Sequence, residues 1–138
     1  MNKILAIDYG KKRSGLAYCE EPLNIAISIN TFKTHELLPF LNKYVKENKV
    51  IKIIIGQPKT LSGSKTDSSK IVHDFYNNLA KKFTNIKIEM YDERFTSKIA
   101  QQTLISSGLK KNRRRNKELL DKISAVIILQ DYLNRLHD

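Results

Sequence analysis

The order in which apolar and amphipathic segments alternate is the feature that most restricts the fold of this chain. Five short segments rich in apolar and β-branched residues are typical of strands, and four longer segments with apolar residues at helical spacing are typical of helices. The predicted strands are Ile4–Asp8, Gly15–Cys19, Ile25–Phe32, Val50–Ile55 and Ile86–Tyr91. The predicted helices contain Leu37–Val45, Lys70–Phe83, the stretch from Thr96 or Ser97 to Gly108, and Leu119–Leu136.

This order, β-β-β-α-β-α-β-α-α, predicts one mixed sheet. Strands joined through helices are expected to be parallel with right-handed crossovers, whereas the first three strands form an antiparallel meander. The resulting α/β fold has five strands in the order 3-2-1-4-5 and helices on both faces. Because the sequence shows no internal repeat and no linker, residues 1–138 are predicted to form a single domain.

An acid stands where the first predicted strand ends. Asp8 is followed by a turn that contains Gly10, Lys11, Lys12 and Arg13. Strand 1 is the switch point of the predicted sheet, because it is antiparallel to one neighbour and parallel to the other. Ligands of such sheets favour the carboxyl ends of parallel strands near that point. Asp8 is therefore a candidate site residue.

Further acids follow other elements. Asp92 and Glu93 end the last strand, and their side chains are expected on opposite sides of it. Asp121 lies in an otherwise apolar helix, on the same side as Ala125 and Ile128. Burying a carboxylate is costly unless positive charge compensates for it. Three carboxylates from separate elements could hold two Mg²⁺ ions about 3.5–4 Å apart, which activate water and stabilise the leaving oxygen of a phosphodiester.

Each acid also has a purely structural interpretation. Asp8 could open a turn by bonding to the backbone ahead of it. Glu93 could pair with Arg94 or with a surface lysine, and Asp121 could interact favourably with a helix N-terminus. Three independent coincidences explain the pattern less well than one shared site.

Charge indicates the class of partner. The 25 Lys and Arg residues outnumber 14 Asp and Glu residues, which gives a formal net charge of +11 and favours a polyanion, above all nucleic acid. The one cysteine, Cys19, excludes an internal disulfide and fits a reducing cytosol. No apolar run approaches the roughly 20 residues of a membrane span, and Asp8 interrupts the N-terminal apolar run, which argues against a signal peptide.

Four sequence blocks, in order and over nearly the whole length, resemble the YqgF family of Holliday-junction-resolvase-like or pre-16S ribosomal RNA nuclease proteins. The blocks are IDYGKKRSGLAY, IGQPKTLSGSK, DERFTS and DKISAVIILQDYL. They match the family patterns D-x-G-x-K-R-x-G, G-x-P…G-S, D-E-R-[LF]-[ST] and D-x-x-[AS]-A…I-L-Q-x-[YF]-L. One such block would be weak support, whereas four in order are specific.

The resemblance implies a ribonuclease H-like fold, a cytoplasmic location and cleavage of nucleic acid that depends on Mg²⁺ or Mn²⁺. Carried over block by block, the catalytic and metal-binding acids are Asp8, Glu93 and Asp121. Two positions depart from the pattern, because Ser62 and Ser124 stand where the family or related resolvases carry a further acid. Three carboxylates are therefore expected, not four.

Cations near these acids are candidates for binding phosphate. Lys12, Arg13 and Arg94 lie close to the acids in the sequence, and a run between the last two helices holds six cations in eight residues. The run comprises Lys110, Lys111, Arg113, Arg114, Arg115 and Lys117. Solvated surface is the alternative interpretation of such a run. The three histidines share no ligand spacing with Cys19, so no zinc site is predicted. Tyr91 and Phe95 could stack on a base, although core packing is the better interpretation of Tyr91.

The predicted activity is hydrolysis of phosphodiester bonds in structured nucleic acid, with 5′-end processing of pre-16S rRNA during ribosome biogenesis as the leading role and ribosomal particles as partners. Resolution of four-way DNA junctions is one alternative, and a non-catalytic ribosome-assembly factor is another. An actin-like ATPase also begins with D-x-G, but it needs a second such domain, for which this chain has no room. The sequence leaves monomer and dimer open, although a symmetric resolvase should dimerise.

Overall fold

The computed structural model describes residues 2–57, 67–92 and 117–136. Eight elements lie in these ranges. They are β1 (Lys3–Asp8), β2 (Arg13–Glu20), β3 (Ile27–Lys33), α1 (Thr34–Glu47), β4 (Val50–Gln57), α2 (Asp67–Lys82), β5 (Lys87–Asp92) and α3 (Lys117–Leu136). The helix predicted from Thr96 or Ser97 to Gly108 lies outside the described residues.

The five strands form one mixed sheet in the order β3-β2-β1-β4-β5. β1 pairs antiparallel with β2 and parallel with β4, β2 pairs antiparallel with β3, and β4 pairs parallel with β5. The predicted order and strand directions are therefore confirmed. β1 is the switch strand, and β1, β4 and β5 end at the same edge of the sheet.

One face of the sheet is covered by α1 and α2. Leu5 and Ile7 of β1 point to this face and are completely buried with Leu37 of α1 and Leu79 of α2. Such side chains make the largest favourable contribution to folding, roughly 25 cal/mol for each Å² of apolar surface removed from water.

The opposite face is covered by α3. Ile4 and Ala6 of β1 alternate with the residues above and are buried here with Ala17, Ile128 and Leu129. Ala6 and Ala17 are directly opposite each other on β1 and β2. Their small side chains permit α3 to pack close to the sheet. The prediction of helices on both faces is confirmed.

The contacts of α3 with the strands are described for its C-terminal turns. Leu133, near its C-terminal end, lines a small cavity with Ile4 at the start of β1. On one flank of the same turn, Gln130 accepts a hydrogen bond from the Ala26 amide just before β3, and on the other flank Tyr132 contacts β4. These contacts place the C-terminal turns of α3 over the sheet, where they connect to segments near the start of β1, β3 and β4.

Two boundaries differ from the predicted ones in an instructive way. α1 begins at Thr34 and includes Pro39, whose missing N–H removes the helical hydrogen bond to the carbonyl of His35. Both residues are exposed, so water can solvate that carbonyl. β3 begins at Ile27 instead of Ile25, since Ala26 is bound by the Gln130 side chain before strand pairing starts. In the described part of the chain, no helix is long and apolar enough to cross a membrane.

Candidate active site

Asp8 is the last residue of β1 and is half-buried. Asp8 is two residues after Ala6 and four after Ile4, so its side chain lies with theirs on the α3 face of the sheet. Gly15 is directly opposite it on β2, and Gly56 follows Ile55, the β4 residue paired with Ile7. The neighbouring positions on both adjacent strands therefore carry no side chain. No side chain from these two positions therefore competes with the carboxylate for the space around it.

The carboxyl end of β5 lies at the same edge. Gln57 of β4 pairs with Asp92, and β5 is two strand spacings, roughly 10 Å, from β1. Tyr91 packs on the α3 face, whereas Met90 packs on the α1 and α2 face. Glu93 follows Asp92 in sequence and lies outside the described residues.

Position 121 is in the second turn of α3. Helical geometry places it on the stripe that also carries Ala125 and Ile128, both completely buried against the sheet. The helical backbone over these residues confirms that positions 121, 125 and 128 share one side of α3. Side chains of α3 are described from Ser124 onward, so the direction of the Asp121 carboxylate stays a prediction.

The turn after Asp8 is held by a closed set of hydrogen bonds. The Gly10 amide donates to Ser14 Oγ over 3.2 Å, and Thr34 Oγ1 donates to the Gly10 carbonyl over 2.7 Å. The Ser14 and Thr34 hydroxyl oxygens are 3.0 Å apart, so the remaining Ser14 proton completes the ring. Ser14 is fully buried. Connected hydrogen bonds in a buried environment of low dielectric polarise, and so strengthen, one another.

Gly10 is required at this turn. A Cβ added there would lie 2.3 Å from the Arg13 carbonyl oxygen, closer than any real contact. The Thr34 amide also donates to the Lys12 carbonyl over 2.9 Å, which fixes the turn to the first residue of α1. The cation-bearing turn is thus positioned by both the sheet and the helix.

The predicted phosphate-binding cations are only partly described. Lys12 is exposed in this turn, and Arg13 begins β2, two residues before Gly15, which faces Asp8. The structure therefore brings Lys12 and Arg13 near Asp8. Arg94, Lys110, Lys111, Arg113, Arg114 and Arg115 lie outside the described residues, and Lys117 is described only as the first residue of α3.

A polar bridge connects the end of β5 to α3. The Tyr91 hydroxyl donates to the Asp131 carboxylate, which also contacts Arg135 at 3.3 Å. The Tyr91 ring meets the Tyr132 ring edge-on with centroids 6.2 Å apart. The interpretation of Tyr91 as a packing residue is confirmed, and Phe95 lies outside the described residues. No sequence pattern indicates the bond between Tyr91 and Asp131, because the two residues are 40 positions apart along the chain.

A second bridge lies closer to the start of the strands. Lys52 of β4 donates to the Tyr132 hydroxyl and is 3.7 Å from Glu89, which is 3.0 Å from Lys87. Burial alone raises the Glu89 pKa, but the Lys87 hydrogen bond and the charges of Lys52 and Lys87 lower it below its usual value. Burial lowers the Lys52 pKa, but its Tyr132 and Glu89 contacts raise it overall. This pair is therefore held in its charged form.

Carboxylate oxygens are the ligands that Mg²⁺ and Mn²⁺ favour, and Asp8 offers one such group beside Gly15 of β2. Among the side chains that the structure describes, His, Cys, Asp and Glu form no cluster of three. Those side chains do not include Glu93 or Asp121. The convergence of the three acids therefore stays a prediction, and Asp8 is the member whose environment is described.

Comparison with known proteins identifies relatives that match almost end to end. The family model described as "RuvX: Holliday junction resolvase" matches residues 2–135. A Flavobacterium psychrophilum protein named "Putative pre-16S rRNA nuclease" is 47% identical over 135 residues, which cover 98% of each chain. A protein of the same name from Phocaeicola vulgatus is 47% identical over 133 residues, which cover 96% of each chain.

Among solved structures, T. thermophilus RuvC in complex with a Holliday junction substrate superposes with a TM-score of 0.54 and covers 99% of this chain and 96% of that chain. Its sequence is 13% identical, so the likeness concerns the fold, and it confirms the ribonuclease H-like architecture. The sequence blocks, the strand order and the family match all agree: the chain belongs to the RuvX family of Holliday-junction-resolvase-like proteins, which is the YqgF family.

Proposed function

We propose that this protein is a nuclease that hydrolyses phosphodiester bonds in structured nucleic acid with the help of Mg²⁺ or Mn²⁺, and that it processes the 5′ end of pre-16S rRNA during ribosome biogenesis. Residues 1–138 act as a single nuclease domain. The observation that carries the proposal is the setting of Asp8, a half-buried carboxylate between two glycines at the edge where three parallel strands end.

The proposed site uses Asp8, Glu93 and Asp121 as ligands for two ions. β5 ends at the same edge as β1, so Glu93 follows a strand that reaches the Asp8 edge. α3, which contains position 121, packs on the same face of the sheet as Asp8, and this supports the inclusion of Asp121. Three carboxylates match the hard-cation chemistry of these metals.

When bound, such ions supply a nucleophile from water at neutral pH and stabilise the charge that develops on the phosphodiester oxygens. The residues of the chain then have separate tasks. Asp8, Glu93 and Asp121 hold the ions, whereas Lys12, Arg13 and Arg94 hold the substrate phosphate. The cations of Lys110–Lys117 bind the substrate backbone farther along the nucleic-acid strand from that phosphate. Contacts with the backbone position the substrate without reading its sequence.

The choice of an RNA substrate rests on the names of the relatives, which describe pre-16S rRNA nucleases at 43–47% identity. The formal charge of +11 supports a polyanionic partner, and ribosomal particles are large polyanions of this class. We place the protein in the cytoplasm with its rRNA substrate. A monomer suffices for trimming an RNA end.

A second candidate function is resolution of four-way DNA junctions. The description of the matching family favours it. A resolvase that cuts two strands symmetrically should be a dimer, so the mass in solution separates the candidates before any assay.

The test of the proposal offers the purified protein both substrates, a pre-16S rRNA fragment and a four-way DNA junction, in Mg²⁺ and in Mn²⁺. We expect cleavage of the RNA that stops with EDTA and with Asp8→Asn. Faster cleavage of the junction would assign the resolvase function instead. Binding of RNA with no cleavage in either metal would identify a non-catalytic assembly factor.

A further inference from the structure

A basic groove lies beside the candidate site, where the turn after β1 meets the end of β3. It has a volume of about 1090 Å³ and is formed by the turn after β1, the end of β3 and the start of α1. Tyr9, Phe32 and Leu38 of its lining pack against the cluster under α1 and α2, which places this part of the groove on that face. Arg13 and Lys33 pair with each other across β2 and β3 and alternate with Phe32, so they line the groove from the edge of the Asp8 face.

The charge of this groove is strongly asymmetric. Among the lining residues that the structure describes, four are lysine or arginine and one, Glu36, is an acid. Lys11, Lys12 and Lys33 are exposed. The N-cap residue of α1, Lys33, makes no side-chain capping hydrogen bond, and the positive end of the helix dipole adds to the same field. The groove is thus built to hold negative charge.

The floor of the groove is aromatic. The Tyr9 ring stacks on Phe75 with centroids 4.1 Å apart, and the Phe32 ring packs on Phe40 at 4.3 Å. Both rings are held from behind and remain half-buried in the groove lining. Grooves that combine cations with aromatic surface are typical of sites for single-stranded nucleic acid, since phosphates meet the cations and bases meet the rings. A duplex hides its base faces and would gain nothing from the aromatic floor.

The position of the groove relative to Asp8 determines which part of a nucleic-acid substrate the groove would hold. Asp8 and Tyr9 are consecutive residues that lie on opposite faces of the sheet. The turn with Lys11 and Lys12 forms the rim between the two faces, and hydrogen bonds from Gly10 and Thr34 fix it. A chain that crosses this rim would have one phosphate near Asp8 and its neighbours in the groove.

We propose that the groove binds a single-stranded segment of nucleic acid that continues from the phosphodiester at Asp8. This rests on the proposed function for the identity of the bond at Asp8, but binding in the groove requires no cleavage. Lys11 and Lys33 contact the phosphates of that segment, and the substrate is a junction between structured and single-stranded nucleic acid.

The test measures binding without metal. The full chain in EDTA is titrated against fluorescent oligo-U and oligo-dT of ten nucleotides at several salt concentrations. The double variant Lys11→Gln/Lys33→Gln should bind about 10-fold more weakly, and its slope of log affinity against log salt should be shallower by about 1.4, or roughly 0.7 for each lost contact. A blunt duplex should lose less affinity than either single strand.

The matched control is Lys43→Gln/Lys46→Gln, which removes two exposed cations of α1 outside the groove. It should leave the salt slope and affinity for single strands close to those of the wild type. Equal slopes in the two double variants would overturn the groove as a site, and an equal loss on blunt duplex would overturn its assignment to single strands. Cleavage of structured RNA by the wild type tests the proposed function separately. If the wild type does not cleave but the groove variant loses affinity, the groove stands and the nuclease proposal fails.

Discussion

The two faces of the sheet are built from the same strands but differ in character. Under α1 and α2, large apolar and aromatic side chains such as Leu5, Ile7 and Phe75 fill the interface. Under α3, alanines occupy the facing positions of β1 and β2, and polar bridges connect β4 and β5 to the helix. One face is packed with large apolar side chains, whereas the other combines small side chains with polar groups and carries Asp8.

The difference follows from strand alternation. Each strand sends successive side chains to opposite faces, so one sequence can supply a tight core and a reactive surface at once. Ile7, Asp8 and Tyr9 show the principle in three consecutive positions. Substitutions on the two faces should therefore separate catalysis from stability.

The largest expected effect is on the α3 face. Asp8→Asn keeps the shape of the side chain but removes its charge, so cleavage should fall roughly 10³-fold, the size expected for losing several kcal/mol of metal-dependent stabilisation. Initial rates of cleavage of the pre-16S rRNA fragment in saturating Mg²⁺ measure this fall. Asp74→Asn is the matched control, because Asp74 is exposed on α2, which covers the other face of the sheet. This variant should cleave at the wild-type rate.

Metal binding gives a second measurement for the same variant. Saturating Mg²⁺ should raise the melting temperature of the wild type by mass action and raise that of Asp8→Asn less. Identical Mg²⁺ responses in the two proteins would remove Asp8 from the metal site.

The next effect belongs to the other face. Leu79 of α2 is fully buried with Ile53 and Phe75 in the same cluster, so Leu79→Ala should lower the free energy of unfolding by about 2–5 kcal/mol. Urea denaturation measures the loss. Cleavage for each folded molecule should change little, since the cavity lies away from Asp8. A parallel loss of turnover in fully folded protein would show that the two faces are coupled.

A smaller effect should come from the bridge between β5 and α3. Tyr91→Phe removes the hydroxyl that donates to Asp131 while keeping the ring against Tyr132. This bond joins the strand that precedes Glu93 to the helix that carries Asp121. We expect a stability loss of about 1 kcal/mol and a weaker Mg²⁺ response in melting temperature. Tyr76→Phe, on α2, is the control. A normal Mg²⁺ response in Tyr91→Phe would limit the bridge to a packing role.

The sequence predicted the sheet order because each relevant signal was local. Apolar runs such as Val50–Ile55 marked strands, helical spacing marked α2 and α3, and helices between strands required parallel pairing. Strand ends were less predictable, since they depend on partners distant in sequence. Gln130 fixes the backbone at Ala26 from across 104 residues, which delays the start of β3.

The candidate site was predictable in part for the same reason. Asp8 was identified from its place at the end of a strand, but its two glycine neighbours became meaningful only through the register of β2 and β4. Gly56 in the sequence marked a strand end, whereas in the structure it lies within β4, next to Asp8 in the sheet. The bridges to Asp131 and Tyr132 join distant segments and had no sequence pattern. The spatial convergence of Glu93 and Asp121 with Asp8 stays a prediction.

The smallest expected effect is a pH dependence on the α3 face. Glu89 lies between Lys52 and Lys87, and Glu89→Gln should lower the free energy of unfolding by about 1 kcal/mol near neutral pH, where the carboxylate is charged. Lys87 and Lys52 hold the Glu89 pKa below its usual value despite burial, which alone would raise it. A group whose pKa is lowered in the folded state stabilises the folded protein at pH values above the unfolded-state pKa. This contribution is lost as the pH falls through the folded-state pKa. The difference in free energy of unfolding between wild type and Glu89→Gln, measured by urea denaturation, should therefore be largest at pH 7. It should shrink as pH falls below about 4.3, the usual pKa of a glutamate.

Glu47→Gln, at an exposed position of α1, should show no such difference. If the gap between wild type and Glu89→Gln were constant down to the lowest pH at which the protein folds, the ion pairs would contribute nothing to stability, and the contrast between the two faces would then rest on Asp8 and the Tyr91 bridge.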